Sequence, residues 1–343
     1  MANQVRELIE QSVNAYVKFI QRYKFPTYPK PDEIIKREYD ADSPFEDNFI
    51  SLKLRIPNAD DSSKAGGGPK IMFDTPIEQV QQELEQIIDQ IVKQSCNLPR
   101  PENTIARSDK MHLWDVQIDD EIVIKAKEKI SETLRENLEV VSLAANVYDE
   151  FLFILKERER IEAFINKEPI TREEFQKEID MYQECINKIT ETMPFEIRMN
   201  MFLIKCSDIN NALCDECEGL MKLILDKVES HVFQKMAPQI QTEVKAIKED
   251  LQQKAADSNL LVSFEAKLEN VRNVERARLM AEYDDLIEWL MMLNRNPRKQ
   301  QLEENIKPVV LAYGYVDDIV NIIEMSDQKL RTERQEIEKQ LGE

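Results

Sequence analysis

The pattern of apolar and polar positions changes period twice within residues 194–233. Phe195, Ile197, Met199 and Met201 alternate with Glu196, Arg198 and Asn200, which is the two-residue period of a half-buried strand or extended segment. Phe202, Leu203 and Ile204 then form a short apolar run. From Ser207 onward the spacing is helical, with Ile209, Leu213, Leu220, Met221, Ile224, Leu225, Val228 and Val232 three or four apart. Ser207 is the predicted N-cap, its hydroxyl accepting from a free N–H of the first turn, and Asp208 suits the positive end of the helix dipole. Pro238 must kink or interrupt this helix, because its ring removes a backbone donor. Val244, Ile247 and Leu251 resume the stripe beyond it.

Upstream, Val5, Leu8, Ile9, Val13, Tyr16, Val17, Ile20 and Tyr23 share one helical face. Phe25-Pro26 stops that helix, and Pro26, Pro29 and Pro31 make a stiff connector. Phe49, Ser51, Lys53 and Arg55 alternate with Ile50, Leu52, Leu54 and Ile56, and Ile71, Met72 and Phe73 form another apolar run. Together they predict a small β-hairpin at about 48–74, with a mobile loop at 57–69 containing Gly66-Gly67-Gly68. Thr75-Pro76-Ile77-Glu78 is a capping box with proline at the first helical position. It opens an apolar stripe of Ile77, Val80, Leu84, Ile87, Ile88, Ile91 and Val92 that ends near Cys96, since Pro99 and Pro101 exclude continuation.

Residues 102–118 read as irregular. No proline or glycine occurs over 119–166, where Ile122, Ala126, Ile130, Leu134, Leu138, Val141, Ala145, Tyr148, Leu152 and Leu155 recur at helical spacing. One unbroken helix there would be about 70 Å long. Thr171-Arg172-Glu173-Glu174 is a second capping box, starting a helix through Phe175, Ile179, Tyr182, Ile186 and Ile189 that stops at Pro194. The short connection around Pro169 predicts that it folds back antiparallel on its predecessor. Ser258 is the predicted cap of a helix carrying Leu261, Leu268, Val271, Tyr283, Leu286, Ile287 and Leu290. The last segment is interrupted at Pro308 and Gly314 before Val316, Ile319, Val320 and Ile323.

These elements predict an all-α fold, an elongated series of antiparallel helical bundles with one small β-hairpin. Three segments are expected: 1–101 with the first helix, the hairpin and the capped helix; 102–194 as a long helical hairpin; and 195–343 as the C-terminal bundles. A compact chain of this length would have a radius of gyration of about 20 Å. A helix of about 70 Å does not fit inside such a globule, so the expected shape is a rod.

Composition agrees with long helices, since only six of 343 residues are glycine. Sixty-six acidic residues against 46 basic ones give a net charge of −20. That field repels nucleic-acid phosphates and anionic membranes, and disfavours direct contact with the acidic surface of a microtubule. No apolar run reaches membrane-spanning length, and the first twenty or so residues read as an amphipathic helix lacking a signal-peptide core, so the expected location is cytoplasmic. Five cysteines, an odd number, fit reduced buried thiols better than a disulfide framework.

The candidate chemistry reduces to packing. Gly66-Gly67-Gly68-Pro69-Lys70 superficially resembles a phosphate loop, but proline and Ile71 occupy the places where the motif needs its converging groups. Cys206, Cys214 and Cys217 with His231 could be written as a zinc set, yet a CxxC inside a continuous helix lacks the turn that aims both thiolates at one metal. The other histidine, His112, has no nucleophile signature around it. Asp119-Asp120, Glu173-Glu174 and Asp284-Asp285 read as solvated helix faces in so acidic a chain. Trp114 and Trp289 read as core or interface anchors, and Arg295, Arg298 and Lys299 as cations that stabilise a helix C-terminus in preference to meeting an acidic partner. No catalytic residue, metal or cofactor is expected.

The apolar extended segment feeding Cys206-Ser207 and then a long helix resembles a feature of the tail of axonemal dynein heavy chains. There a short apolar segment, a small polar turn and a helix precede the linker. The alternating pair around Phe49 and Phe73, the helix ending in Leu98-Pro99-Arg100-Pro101, and the stretch 194–213 match in order. The resemblance covers most of the chain and is carried by packing patterns, with no catalytic signature. It implies a tail (stem) segment just before the linker, in the axoneme of a cilium or flagellum. The whole heavy chain would be a microtubule motor hydrolysing ATP in an AAA+ ring that this segment lacks. The implied role is structural, with dynein intermediate chains, other dynein heavy chains and assembly factors as partners. The alternative is a helical scaffold or tethering protein unrelated to dynein, spectrin-like or of vesicle-tethering type. An enzyme comes third, and requires a convergent polar pocket.

Overall fold

A computed structural model describes residues 2–23, 49–56, 71–96, 116–167, 171–295 and 306–342. The proline connector, the glycine-rich loop with Lys70, Pro99, Pro101, His112, Trp114, Pro169, Pro297, Arg298 and Lys299 lie outside these residues. The chain is predominantly α-helical with one small sheet, and it divides into two compact units. One comprises Met1–Arg158 with Gln183–Glu218, the other Glu159–Tyr182 with Gly219–Glu343. The three sequence segments were each continuous, whereas each unit takes two separate stretches of chain.

In the first unit the period-two stretches become strands β1 (Ile50–Arg55), β2 (Met72–Phe73), β3 (Glu196–Met199) and β4 (Phe202–Lys205). Their order is β2-β1-β4-β3. The expected hairpin is present, with β1 antiparallel to β2 through Leu54↔Phe73. It is joined by a second hairpin, β3–β4, in the register Met199↔Phe202. The two hairpins meet through parallel pairing of β1 and β4, Ile50 opposite Phe202. Alternation puts Leu52, Leu54, Ile197, Met199, Phe202 and Ile204 on the buried face, while Glu196 and Arg198 point to solvent and pair with each other. Phe195, expected on the apolar face, is 70% exposed.

Helices α1 (Ala2–Gln21), α2 (Ile77–Cys96) and α3 (Glu121–Asn146) pack together in this unit. Each does so because its apolar residues form one stripe: Ile9, Val13, Val17 and Ile20 on α1, Val80, Leu84, Ile88 and Val92 on α2, and Val123, Ala126, Ile130, Leu134 and Leu138 on α3. Leu8 falls outside its stripe and is exposed. Polar links cross the seams. The Tyr16 hydroxyl donates to the Leu84 carbonyl at 3.1 Å, and the Lys127 ammonium lies 2.6 Å from the Asp89 carboxylate.

The single helix expected over 119–166 is broken. It ends at Asn146, gives way to 3₁₀ turns at Asp149–Phe151 and Ile154–Lys156, and resumes as α4 (Glu157–Ile165). The cause is visible in which residues are buried. Tyr148, Phe151 and Ile154 are all at most 2% exposed, and their spacing of three matches the 3₁₀ period, which stacks side chains at i and i+3. The helix α3 alone spans about 39 Å. No helix of about 70 Å forms over 119–166.

The second unit contains α4 from Glu159 onward and the first half of α5 (Arg172–Thr192) as an antiparallel pair, as the short connection implied. Arg160 grips the Glu178 carboxylate with both terminal nitrogens, at 2.9 and 2.6 Å, and Phe164 stacks on Phe175. The rest comprises the C-terminal part of α6 (Ser207–Ser230), α7 (Ala237–Gln252), α8 (Ser258–Asn270), α9 (Arg276–Asn294) and α10 (Lys307–Gly342). The α10 helix runs parallel to α7, pairing Gln241 with Pro308 and Lys329 with Gln252. It runs antiparallel to α8 and α9, pairing Arg334 with Glu265 and Tyr313 with Tyr283.

Pro238 changes the helix without ending it. A π segment, His231–Met236, precedes it, and Pro238 falls in the first turn of α7. The wider π turn accommodates the ring and the missing donor. A second π segment, Val271–Glu275, joins α8 to α9 without any proline. Two boundaries also shift. The N-cap of α8 is Asp257, whose carboxylate accepts from the Leu260 N–H at 2.7 Å, and the expected Ser258 is the first helical residue. Gly314 interrupts nothing, since α10 is continuous through it. An added Cβ there would meet no atom within 4 Å. Gly314→Ala is expected to stabilise this unit by about 0.5–1 kcal/mol, because it removes the entropy penalty of a mid-helix glycine. A lower thermal midpoint for that variant would show that the position requires glycine.

Candidate functional site

A connected set of polar groups lies where β4 enters α6. The Phe195 carbonyl accepts from both the Cys206 N–H at 2.8 Å and the Ser207 hydroxyl at 3.3 Å. The Cys206 carbonyl in turn accepts the first helical bond, from the Asn210 N–H at 3.0 Å. Cys206 is therefore the cap position and Ser207 the first helical residue, contrary to expectation. With the start of β3 alongside, the serine hydroxyl finds a carbonyl to donate to and is not needed as an acceptor for the first turn.

Asn210 bridges outward from this junction. Its amide donates to the Pro194 carbonyl at 3.1 Å, and its Oδ1 accepts from the Tyr148 hydroxyl at 2.7 Å. The Cys206 thiol lies beside the same hydroxyl and 3.7 Å from the Ile204 carbonyl. Burial pushes the Cys206 thiol up to about 11 and the Tyr148 phenol well above its ordinary value. Both groups stay neutral near physiological pH. The seam holds the 3₁₀ stretch, the β3–β4 hairpin and α6 together, and a buried protonated thiol is a poor nucleophile.

The β3–β4 turn adds a second junction. Asn200 has φ of 47°, a left-handed conformation that asparagine tolerates better than other side-chain-bearing residues. Its amide donates to the Tyr23 carbonyl, just past α1, at 2.9 Å, and lies 3.5 Å from Oδ1 of Asn137 on α3. Asn137 is fully buried and donates to the Thr133 carbonyl at 2.7 Å. The neighbouring Met201 carbonyl accepts from the Ile50 N–H at 3.0 Å. A two-residue turn thus fixes α1, α3 and the start of β1.

Cys217 is buried on α6 and Cys214 partly so, with Cys185 of α5 in the same unit. His231 belongs to the second unit, where its ring packs edge-on against Trp289 at 5.3 Å, and Trp289 meets Phe175 at 6.0 Å. Among the described residues, no three His, Cys, Asp or Glu side chains are grouped to hold a metal ion. Asp120 precedes α3, Glu173 and Glu174 lie in the first turn of α5, and Asp285 pairs with Arg172. Arg295 follows the C-terminus of α9.

Burial pushes the Cys217 thiol up to about 12. In the folded protein Cys206 and Cys217 are expected to resist iodoacetamide at pH 8 and to react fully in denaturant. Rapid alkylation of either in the native state, read by mass spectrometry, would contradict their burial. Because both folded values lie above the ordinary 9.0, the unfolded chain loses these protons first. The stability they contribute is whole below about pH 9 and lost as pH rises through the folded values.

Unit two carries its polar groups as ion networks. Arg278 on α9 reaches Glu243 of α7 at 2.6 Å, Glu275 at 2.8 Å, and Glu282. Lys329 on α10 caps the C-terminus of α7, donating to the Gln252 carbonyl at 2.7 Å and to that of Gln253. Its neighbour Glu333 is buried and accepts from the Ala255 N–H at 3.2 Å. Position alone gives such a lysine a role, since a cation there complements the helix dipole. No helix among the described residues is long and apolar enough to cross a membrane. Neither protein-family models nor curated proteins give a significant match to this sequence.

Proposed function

We propose that the chain is a structural segment of an axonemal dynein heavy-chain tail, lying before the linker. The observation that supports this reading is local. The residues that carry the resemblance, 194–213, form a short hairpin that passes through Cys206 directly into the start of a long helix. The apolar pair around Phe49 and Phe73 forms the strands beside it. In this reading the segment is not itself an enzyme. It links the doublet-anchored part of the tail to the motor, and offers helical surfaces to intermediate chains, neighbouring heavy chains or assembly factors. Its place is the cytoplasm and the axoneme of a cilium or flagellum.

Imaging of the full-length chain, tagged and expressed in ciliated cells, tests the proposal. The expected result is a signal along the axoneme that survives detergent extraction of the membrane. A signal confined to vesicles or the cell cortex would overturn it in favour of a tether or scaffold.

A further inference from the structure

The four-stranded sheet of the first unit buries one face and leaves the other open. By alternation and register the open face carries Lys53 and Arg55 of β1, Lys205 of β4, and Glu196 and Arg198 of β3, with Ser51, Leu203 and Met72 between them. All of these are exposed or half-exposed. Four cations therefore share a face with one carboxylate, in a chain of 46 basic and 66 acidic residues. Two acids reach its margin. Asp208, in the first turn of α6, lies 3.2 Å from the Lys53 ammonium, and the Asp74 carboxylate accepts from the Lys53 N–H at 3.1 Å. The side chains of the Lys53–Asp208 and Arg198–Glu196 pairs are between 43% and 63% exposed, so water screens both pairs and an anionic partner can exchange for either acid.

The fold gains nothing from this arrangement. Lys53 and Lys205 stand in register on neighbouring strands, about 4.8 Å apart, and like charges directly opposite each other destabilise a sheet. Glu196 is in register on the other side of Lys205. Arg198 nevertheless holds that carboxylate, through Nε at 3.0 Å and a terminal nitrogen at 2.8 Å. Among the described residues Lys205 has no carboxylate within 4 Å. A lysine kept against repulsion, at an outward position where any polar residue would serve the sheet, breaks a local rule in the way that functional surfaces do.

Spacing and composition specify the partner. Lys53 and Arg55 lie two residues apart on one strand, about 7 Å, which is also the period at which an extended acidic segment repeats its carboxylates on one side. Leu203 and Met72 add apolar contact, and no residue of the face is an aromatic on which a nucleobase could stack. A long polyanion would also extend past the face into the field of a chain of net charge −20. The six residues of β1 span about 20 Å, enough for a segment of similar length.

We propose that the open face of the sheet is the docking surface for a short, extended acidic segment of a protein partner, whose carboxylates meet Lys53, Arg55, Lys205 and Arg198. This stands independently of the tail assignment.

The test titrates the full chain, in about 50 mM salt, with a labelled peptide of about ten residues alternating glutamate and threonine. The same peptide with glutamine for glutamate, and a single-stranded oligonucleotide of equal charge, serve as comparisons. The expected result is saturable one-to-one binding of the glutamate peptide, at least about tenfold tighter than the glutamine peptide and weakening as salt rises. Lys205→Thr removes the repulsion with Lys53 and places a strand-favouring residue there, so its thermal midpoint is expected to hold or rise while affinity falls at least about fivefold. Lys222→Gln, an exposed position on α6 in the second unit, is expected to leave binding unchanged. Absence of saturable binding, or affinity untouched by Lys205→Thr, would overturn the proposal. So would an equal loss in Lys222→Gln, which would mean unspecific charge attraction, or tighter binding of the oligonucleotide, which would make the face a nucleic-acid surface.

Discussion

Tyr148→Ala is expected to destabilise the first unit by about 4–6 kcal/mol. Truncating a buried aromatic side chain costs about 3–5 kcal/mol through lost contacts and the cavity left behind. Here the ring is fully buried, and its hydroxyl is the donor to Asn210 Oδ1. Leaving that buried oxygen without its donor adds about 1–3 kcal/mol, with partial overlap between the two effects. Tyr148→Phe separates them, since it keeps the ring and is expected to cost about 1–2 kcal/mol. Urea unfolding of both variants reads the difference. A loss below about 2 kcal/mol for the alanine variant would mean that the seam at the start of α6 does not hold this unit together.

Asn200→Ala should have the next largest effect, about 2–4 kcal/mol. Alanine at a left-handed φ is strained by about 1–2 kcal/mol, and the Tyr23 carbonyl loses its donor. Asn200→Gly removes the amide while relieving the backbone, so it should cost about 1–2 kcal/mol. The order matters more than either value. If glycine proved as damaging as alanine, the turn would not depend on its left-handed residue.

Periodicity made much of this fold legible. The alternation at 50–56 announced a strand and that at 195–201 a strand or extended segment, though not the hairpin it forms with Phe202–Lys205, and the stripes beginning at Ile77, Phe175 and Ile209 became helices at the expected places. What it missed has physical causes. Leu152 and Leu155 continue a 3.6-residue stripe as well as Phe151 and Ile154 do, so nothing local shows that the chain tightens at Tyr148 to bury the larger rings. Capping by Cys206 and Asp257, each one residue before the expected serine, depends on which acceptors and donors lie nearby. The parallel pairing of Ile50 with Phe202 joins residues about 150 positions apart, beyond the reach of any local pattern. Gly314 read as a breaker because propensity weighs a glycine at about 1 kcal/mol, less than the burial along α10 supplies. Tyr148, Asn200 and Asn210 carried no signal of their own, since a polar residue in an apolar stripe reads as tolerated until its partner is known.

The reading of the chain as a tail segment is tested most directly by the proteins it travels with. Mass spectrometry of the full-length chain purified gently from ciliated cells is expected to find axonemal intermediate chains and other dynein heavy chains in amounts comparable to the bait. Recovery of vesicle-tethering factors or cortical scaffold proteins in their place would contradict the account.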